Sequence, residues 1–454
     1  MKNKIFFVGI GGKGLNGIAK ICLEKGWHVS GVDTMIKPET VSLEKSGAEI
    51  FYEHSSKNIN TSISLLVYTS IAKDSPEVTK AKELGLICMR RSEFLKQLTK
   101  NDYRISIAGS HGKSTTTAIL GLSFINSGID ATIFGGAYAK ELRSYNHFGK
   151  SKYSIIEACE YDRSFFDLIG NSTILTSIEK SHLEYYKNED EMISAFKHFF
   201  NEHNRDAFIF TNGDCEKIKS AIKNSLATKI LFGFSEKNHY QIYNVFRHKH
   251  SSTFSIKKDG INIINNLEIN IPGDYNILNF TSCIALMHTF GFDLKGIRET
   301  AQYFSGVNRR FEIHKAKSGL TIIDDFAHHP TQVKYLFEGI RQFYPKQKVA
   351  AVFQPRQYNL IKNFLREYGE SFSKADEIII TDIIPALGDT SLDISSICTD
   401  DLLNEIRKRS KKPVRLIKTF PEIVSYIEKN YGKNDIVTTI GAGDIYKVKD
   451  KLLV

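Results

Sequence analysis

Residues 107–117 form the stretch IAGSHGKSTTT, which decides how the rest of the chain is interpreted. Gly109, Gly112, Lys113 and Ser114 give the pattern GxxGKS, a shortened form of the usual phosphate-binding loop, which has four residues between its glycines. Backbone N–H groups of such a loop surround phosphates, the lysine reaches the β and γ oxygens, and the serine can ligate Mg²⁺. The pattern predicts an ATP site, and a glycine turn with a surface lysine is the alternative.

The segments on either side of this loop support the ATP site. DYRISIAGS precedes it as an apolar run typical of a buried strand, and TTTAILGLSFINSG follows as a helix closed by glycine. YSIIEA and STILTSI are further predicted strands, and NEDEMISAFKHFFNEH is a predicted helix. Between about residues 229 and 272 the segments are short and alternate in polarity, which predicts an antiparallel meander added to this unit.

A second glycine motif lies near the N-terminus. Residues 9–14, GIGGKG, match GxGxxG between the predicted strand KIFFVGI and the predicted helix GLNGIAKICLEKG, and Asp33 ends the next predicted strand, HVSGVD. Glycines there let backbone amides approach a diphosphate at the positive end of the helix. The motif is weak by itself. It also suits a nicotinamide-dependent oxidoreductase, or a glycine-rich turn that only packs strand on helix.

The order of the segments predicts an α/β protein of three domains. The first hundred residues add the strands SLLVYTS and LICMRR to a parallel sheet, and after Phe311 the strands GLTIIDDF, KVAAVFQP, EIIITDI and DIVTTIGAGD form another α/β set. We predict a Rossmann-like domain over residues 1–100 and a Rossmann-like C-terminal domain over 307–454. Between them, residues 101–306 are predicted to form an ATPase-type α/β domain with added antiparallel strands.

Composition excludes several classes of protein. The 454 residues are 25% charged and 41% hydrophobic, the balance of a globular protein with buried cores. The net charge of +10 comes from lysines spread along the chain, so we expect anionic substrates and no nucleic acid. No run of 18 apolar residues occurs, which predicts a cytoplasmic protein with no membrane partner. The cysteines stand singly, which predicts neither disulfides nor a zinc site: Cys22, Cys88, Cys159, Cys215, Cys283 and Cys398.

One chain thus carries a diphosphate loop and an ATP loop, and a dehydrogenase has no use for the second. The segments FVGIGGKGLNGIA, SGVD, GSHGKSTTT, EACEYDRSF, IEKSHLEYY, GDYNILN, GVNRRFE, DDFAHHPT, FQP and GAGDIY resemble, in the same order, those of the Mur ligase family of peptidoglycan synthesis. The resemblance implies that L-alanine is joined by an amide bond to the lactyl carboxylate of UDP-N-acetylmuramate, through an acyl phosphate made with ATP. A nucleotide-gated binding protein is the non-enzymatic alternative.

The same resemblance implies a role for individual residues. Implied ATP-binding residues are Gly109, Ser110, His111, Gly112, Lys113, Ser114, Thr115, Asn276, Asn279, Arg310 and Asp325. Implied UDP-sugar-binding residues are Gly9, Gly11, Gly12, Gly14, Asp33 and Ser70. Implied magnesium ligands are Ser114, Glu157 and His182, and implied catalytic residues are Lys113, Glu157, His182 and Arg310. His328, His329 and Arg356 are assigned to the amino acid, although a paired-histidine loop could equally be structural.

Departures from the family pattern concern the metal site and the amine. Ser177 and Ser181 replace an asparagine and an aspartate of the family motifs. In FQPRQYNLIKN, Arg356 stands where L-alanine-adding enzymes usually have a histidine, whereas the enzyme that attaches a recycled tripeptide has an arginine there. L-alanine is the expected amine, and the tripeptide L-Ala-γ-D-Glu-diaminopimelate is the alternative. We expect a monomer or weak homodimer.

Overall fold

A computed structural model describes residues 4–183, 185–386 and 388–454. The described chain divides into two compact units, each formed by three stretches of sequence. The first unit lies within residues 1–178, 193–240 and 279–300, and the second within 179–192, 241–278 and 301–454. No helix in the described ranges has the length and apolarity needed to cross a bilayer.

The N-terminal part of the first unit is a parallel sheet with helices between its strands. Its elements are β1 (Lys4–Val8), α1 (Lys13–Glu24), β2 (His28–Val32), α2 (Pro38–Lys45), β3 (Glu49–Phe51), β4 (Leu65–Tyr68), α3 (Pro76–Glu83), β5 (Ile87–Arg90) and α4 (Arg91–Leu98). The strand order is β3-β2-β1-β4-β5, and every pairing is parallel. The order reverses beside β1, so the loop after β1 opens at the position where such sheets bind ligands. The Rossmann-like prediction is confirmed.

A second sheet of the first unit carries the phosphate loop. Its elements are β6 (Tyr103–Ala108), α5 (Lys113–Asn126), β7 (Thr132–Ala139), β8 (Ser144–His147), β9 (Tyr153–Glu157), β10 (Ser172–Leu175), α6 (Glu189–Asn201), β11 (Phe208–Asn212), α7 (Glu216–Ile222) and β12 (Thr228–Gly233). The order is β12-β11-β10-β6-β9-β7-β8, in which β7 and β8 pair antiparallel. The predicted strand before the loop and the helix after it are confirmed as β6 and α5.

The predicted meander over residues 229–272 is wrong at its start. β12 pairs parallel with β11, because the helix α7 between them forms a crossover connection, which parallel strands require. The prediction is confirmed further on, where β13 (Tyr240–Arg247), β14 (Ser252–Lys258) and β15 (Ile261–Ile269) follow and β14 pairs antiparallel with β15. The helices α8 (Asp274–Thr289) and α9 (Lys295–Tyr303) come next.

The C-terminal part, in the second unit, is a six-stranded sheet with helices on both faces. Its elements are β16 (Glu312–Lys315), β17 (Thr321–Asp325), α10 (Pro330–Phe343), β18 (Val349–Phe353), α11 (Tyr358–Asn363), α12 (Leu365–Ser371), β19 (Glu377–Ile380), α13 (Ser391–Ser396), α14 (Thr399–Ser410), β20 (Val414–Leu416), α15 (Phe420–Asn430), β21 (Ile436–Ile440) and α16 (Tyr446–Leu452). The order is β16-β17-β21-β18-β19-β20, and only β16 pairs antiparallel. Two apolar clusters cover its faces. The Rossmann-like prediction is confirmed here too.

Helix α1 packs against β8 without room for a side chain at Gly17. A Cβ atom there would lie 1.9 Å from Nδ2 of Asn146, a buried nitrogen with no hydrogen-bond partner among the described residues. We predict that Gly17→Ala lowers the free energy of unfolding by about 1–3 kcal/mol through overpacking. Urea unfolding of the full chain measures this. Asn146→Gly in the same chain should restore the midpoint, and a Gly17→Ala protein as stable as the parent would contradict the packing.

Candidate functional site

Two glycines of the phosphate loop lie where a larger residue would be strained and crowded. Gly109 has a φ of +127° and Gly112 a φ of +85°. A Cβ atom at Gly109 would lie 2.3 Å from Oγ1 of Thr176, and one at Gly112 would lie 2.9 Å from Oδ1 of Asn279. The loop between β6 and α5 is therefore held closely by its neighbours, and glycine is required at both positions.

The loop opens onto the positive end of α5. This helix begins at Lys113, and the backbone N–H groups of Lys113, Ser114 and Thr115 have no hydrogen-bond acceptor within the described parts of the chain. Free N–H groups at a helix N-terminus bind anions, most commonly phosphate. The geometry of the loop thus fits a nucleotide phosphate.

Ser177 supports the same loop from the end of β10. Its carbonyl oxygen accepts a hydrogen bond from the N–H of Ser110 at 2.9 Å, and its hydroxyl accepts one from the N–H of His111 at 2.9 Å. Ser177 is one of the two departures from the family motifs that concern the metal site. Here the serine supplies two contacts that fix the backbone of the phosphate loop.

Lys113 is a buried cation within a cluster of acids. Its ammonium donates a hydrogen bond of 2.7 Å to Oε2 of Glu160, a fully buried residue, and another to the carbonyl of Gly109. Burial lowers the pKa of Lys113, but Glu160, Cys159 and Glu157 together raise it by more than burial lowers it. The net shift is therefore upward. The lysine therefore stays charged at neutral pH, as a phosphate-binding residue must.

Glu157 ends β9 with one carboxylate oxygen held and the other free. Its Oε2 accepts the N–H of Gly136 at 2.7 Å, while Oε1 has no hydrogen-bond donor among the residues that the structure describes. A Cβ atom at Gly136 would lie 2.6 Å from each oxygen, so only glycine permits this contact. An oriented carboxylate and the hydroxyl of Ser114 are oxygen donors of the kind Mg²⁺ prefers.

His182, the third predicted metal ligand, lies in the other unit. It occupies a turn with a φ of +53°, and its carbonyl accepts the N–H groups of Tyr185 and Tyr186, each at 2.9 Å. A positive φ is uncommon for a residue other than glycine, so the backbone at His182 has an unusual conformation. Its part in a metal site stays a prediction.

The first glycine loop is tied to the predicted Asp33. Gly9 has a φ of +84°, and its N–H and that of Ile10 donate to the carbonyl of Val32 at 2.8 and 3.0 Å. Asp33 is buried, and its Oδ2 accepts the N–H of Gly11 at 3.0 Å. Its Oδ1 forms an ion pair with the ammonium of Lys37 at a distance of 3.1 Å. Asp33 therefore fixes the shape of the loop.

The other residues predicted for the UDP-sugar lie at the same edge of this sheet. Gly12 donates its N–H to the carbonyl of Gly9 at 2.9 Å and precedes α1, while Gly14 lies in the first turn of that helix. Ser70 begins a short turn directly after β4, the strand next to β1. These residues surround the crevice that the strand order predicts.

Two adjacent arginines at 309 and 310 have different environments. Arg309 is buried, and its guanidinium binds the carboxylate of Asp324 at 3.0 Å and the carbonyls of Gly441 and Gly443 at 2.7 and 2.9 Å. Arg310 is half-buried with its guanidinium over the ring of Phe326, 5.2 Å from the centroid. Arg309 therefore joins the segment GVNRRFE to β17 and to the loop after β21. Arg310 is the arginine more available to a ligand.

The carboxylate of Asp325 accepts hydrogen bonds from nearby backbone N–H groups. Its oxygens accept the N–H groups of Phe311 and Ala327, both at 2.7 Å, and burial raises its pKa. On helix α8, Asn276 and Asn279 are both buried, and the amide of Asn276 donates to the carbonyl of Pro272 at 2.7 Å. Their predicted contacts with a nucleotide stay predictions.

The side chain of His329 caps a helix. His329 is buried at the N-cap of α10, where its Nδ1 accepts the N–H of Thr331 at 3.3 Å. Gln332 accepts the N–H groups of His328 and His329 at 3.0 and 3.2 Å, which completes a capping box. The structural alternative thus has direct support for His329, and binding of an amino acid by the pair stays a prediction.

Arg356 follows β18 as a half-buried residue. Its backbone bridges to Ile384, and its guanidinium has no hydrogen-bond or ion-pair partner in the described ranges. Gln357, the next residue, has a φ of +72°. A guanidinium without a protein partner is available to a carboxylate ligand.

A glycine loop on one parallel sheet and a lysine-bearing phosphate loop on another define a nucleotide-binding α/β protein. Three family models match the chain: "Mur ligase family, catalytic domain" over residues 4–103, "Mur ligase middle domain" over 107–287 and "Mur ligase, glutamate ligase domain" over 309–443. The chain belongs to the Mur ligase family. This excludes the oxidoreductase alternative.

The similar proteins carry consistent names. The UDP-N-acetylmuramate--L-alanine ligase of Clostridium acetobutylicum is 34% identical, with 100% of this chain and 98% of that protein covered. The enzyme of the same name from Clostridium tetani is 34% identical over 99% of this chain and 98% of its own length. The crystal structure of the UDP-N-acetylmuramate-alanine ligase from Thermotoga maritima has a TM-score of 0.81 at 24% identity, covering 99% and 98% of the two chains.

A murein peptide ligase from Psychrobacter arcticus shares the fold at lower similarity. Its TM-score is 0.73 at 20% identity, with 99% of this chain and 98% of that chain covered. At this identity the likeness concerns the fold alone.

Several residues that shape the site were not predicted from the sequence. Glu160 belongs to the segment EACEYDRSF, but its contact with Lys113, 47 residues earlier in the chain, is established only by the fold. Gly136 and Arg309 gave weaker signals, because a glycine within a strand and a second arginine in NRRF have no assigned partner until the chain folds.

Proposed function

We propose that this chain is an ATP-dependent ligase that joins L-alanine to the lactyl carboxylate of UDP-N-acetylmuramate. The observation that carries the proposal is the 34% identity, over the whole chain, to an enzyme named UDP-N-acetylmuramate--L-alanine ligase. The tripeptide-adding alternative is not favoured, because the relatives from Clostridium acetobutylicum and Clostridium tetani, each 34% identical over nearly the whole chain, are named as L-alanine ligases. We propose that its substrates are small molecules and that neither nucleic acid nor a membrane is a partner.

The proposed reaction has two steps. A carboxylate oxygen of the sugar attacks the γ-phosphorus of ATP, which releases ADP and gives an acyl phosphate. The amine of L-alanine then attacks the acyl carbon, loses a proton and displaces phosphate, which leaves an amide. A free carboxylate is a poor acyl donor, and phosphorylation converts one of its oxygens into a leaving group.

The chain supplies positive charge for the first step. The N–H groups at the start of α5 and the ammonium of Lys113 bind the transferring phosphate, which is where negative charge must be stabilised. Arg310 is proposed as a second cation at the γ-phosphate. Asn276, Asn279 and Asp325 are proposed to position the nucleotide.

The donors at the phosphate loop fit Mg²⁺. Ser114 and Glu157 offer oxygens in the first unit, and His182 is the third proposed ligand, although histidine is less usual for this ion. When bound, Mg²⁺ would neutralise charge on the phosphate oxygens. Glu157 is already oriented for this role by the N–H of Gly136 at 2.7 Å.

Three functional domains follow from the proposal. Residues 1–100 would bind the UDP-sugar, 101–306 ATP and 307–454 the amino acid, and the three family models match in the same order, at 4–103, 107–287 and 309–443. A monomer or weak homodimer and a cytoplasmic location stay predictions.

We predict that Glu157→Ala and His182→Ala each raise the Mg²⁺ concentration for half-maximal activity by about tenfold, because each removes a proposed ligand. A titration of activity with MgCl₂ at saturating ATP measures this. Glu160→Gln, which changes a neighbouring acid outside the proposed ligand set, is the comparison and should shift the curve less. Unchanged curves for both alanine variants would refute the metal assignment.

We predict that Arg356→Ala raises the KM for the amine by about 10- to 100-fold, because it removes a bidentate contact with the amino acid carboxylate. The KM for ATP should stay within about twofold. Arg366→Ala, on the exposed side of α12, is a matched control and should leave both constants unchanged. Equal effects on ATP and amine would contradict the assignment.

The amine itself is tested by comparing substrates in an assay of ADP release. L-alanine, glycine, L-serine and the tripeptide are offered at equal UDP-N-acetylmuramate. We expect L-alanine to have the highest kcat/KM. Efficient use of the tripeptide alone would favour the recycling enzyme, and slow hydrolysis independent of any amine would favour the nucleotide-gated binding protein.

A further inference from the structure

Arg90, the last residue of β5, and Arg91, the first residue of α4, have different surroundings. Arg90 is paired with acids: its guanidinium lies 3.1 Å from Asp167, 3.4 Å from Glu93 and 3.8 Å from Asp162. These neighbours raise the pKa of Arg90 above its usual value despite burial. The structure thus accounts fully for the charge of Arg90.

Arg91 has no such partner. Its Nε donates a hydrogen bond of 2.9 Å to the carbonyl of Gly14, in the first glycine motif. Its two Nη groups have no hydrogen-bond or ion-pair partner within residues 4–183, 185–386 and 388–454. Burial lowers the pKa of Arg91, which reflects the cost of holding the charge away from water. Arg91 is half-buried, and its Nη groups lack a hydrogen-bond or ion-pair partner among the described residues, so a ligand that supplies an anion is expected.

Arg91 lies at the correct edge of the sheet for such a ligand. It follows β5 directly, and in a parallel sheet the ends of β1, β4 and β5 meet at one edge. This edge carries the glycine loop after β1 and Ser70 after β4. A Cβ atom at Gly14 would lie 2.8 Å from Nε of Arg91, so the arginine and the glycine motif are in close contact.

Arg91 also connects the first loop with the second. Burial lowers the pKa values of both Arg91 and Lys113 of the phosphate loop, and the carboxylate of Glu157 raises both. An anionic group that extends from the glycine motif toward Glu157 would therefore meet the Nη groups of Arg91. In the proposed reaction, only the UDP-sugar extends from the first loop to the second.

We infer that Arg91 is a substrate-binding residue whose Nη groups hold anionic oxygens of the UDP-sugar, a bidentate contact that lysine cannot reproduce. The inference rests on the proposed function and assigns a residue absent from the motifs that identified the site. The oxygens belong either to the diphosphate or to the lactyl carboxylate. Both are planar or forked anions that suit a guanidinium.

The test compares Arg91→Gln and Arg91→Lys with the unmodified full chain by calorimetric binding of three ligands. UDP-N-acetylmuramate has both anionic groups, UDP-N-acetylglucosamine has the diphosphate alone, and ADP reports on the second loop. We expect Arg91→Gln to weaken UDP-N-acetylmuramate by about 10- to 100-fold with ADP affinity unchanged, and Arg91→Lys to recover only part of the loss. In turnover, KM for the UDP-sugar should rise more than kcat falls.

The second ligand identifies the anion. An equal loss for UDP-N-acetylglucosamine assigns Arg91 to the diphosphate, and a loss confined to UDP-N-acetylmuramate assigns it to the carboxylate. Arg90→Gln is the matched control: it should lower thermal stability, since it breaks the contacts with Asp167 and Glu93, and leave UDP-sugar affinity unchanged.

Three outcomes would overturn the inference. Arg91→Gln could bind UDP-N-acetylmuramate as tightly as the parent does, or lose ADP affinity to the same extent. In either case a parent that ligates L-alanine leaves the proposed function intact. A parent that binds neither UDP-sugar contradicts both the inference and the proposed function.

Discussion

Replacing Lys113 with alanine is expected to lower kcat at least about a thousandfold, because the ammonium is needed where charge develops on the transferring phosphate. Although burial lowers the pKa of Lys113, the neighbouring Glu160 shifts it upward overall, so this lysine stays charged at the pH of the assay. Single-turnover release of ADP from ATP and UDP-N-acetylmuramate measures the phosphoryl-transfer step directly. A near-normal rate would show that ATP does not bind at this loop.

The control for Lys113→Ala must account for Glu160. Their contact of 2.7 Å is buried, and removing the lysine alone leaves a buried carboxylate without that cation, which costs about 3–5 kcal/mol. The double variant with Glu160→Gln should regain thermal stability and remain inactive. Recovery of activity together with stability would show that the lysine acts only on folding.

Gly11→Val is expected to weaken the binding of UDP-N-acetylmuramate by more than about a hundredfold. A Cβ atom at Gly11 would lie 2.6 Å from Thr40 and 2.8 Å from Asp33, so the loop must move and lose the hydrogen bond that fixes it. The backbone amides then no longer face a diphosphate. Calorimetric titration with UDP-N-acetylmuramate measures the loss, and ADP affinity should be spared because the second loop lies on another sheet.

The comparison for Gly11→Val is Gly432→Val. Apart from its two chain neighbours, no atom of the described residues lies within 4 Å of a Cβ built at Gly432, so this variant should bind both ligands normally. Unchanged UDP-sugar affinity in Gly11→Val would show that the diphosphate does not use this loop. Tight binding of NADH by the unmodified protein, seen by fluorescence, would contradict a UDP-sugar site in the same way.

The parallel sheets could be predicted from the sequence because their strands are short apolar runs separated by helices. β6 and β18 are examples, buried along nearly their whole length. β7 was not predicted, since Gly135 and Gly136 interrupt its apolar pattern and Gly136 is needed for the contact with Glu157. β12 was assigned to the wrong pairing, because a strand's sequence does not reveal its neighbour and α7 is short.

The site could be predicted only where a motif has a fixed backbone shape. Both glycine loops depend on local geometry, and the structure gives Gly9, Gly109 and Gly112 the positive φ angles that such loops need. Arg91 and Glu160 could not be predicted in this way. Their significance depends on which charged groups lie near them in space, and residues distant in sequence supply those groups.

In the proposed reaction, this chain makes an amide through an acyl phosphate. The most direct measurement uses UDP-N-acetylmuramate whose lactyl carboxylate carries a heavy oxygen isotope, with ATP, Mg²⁺ and L-alanine, and analyses the products by mass spectrometry. We predict equal amounts of ADP, phosphate and UDP-N-acetylmuramoyl-L-alanine, with one carboxylate oxygen transferred to each phosphate. ADP formation that needs neither the sugar nor the amine, or phosphate without the labelled oxygen, would contradict the account.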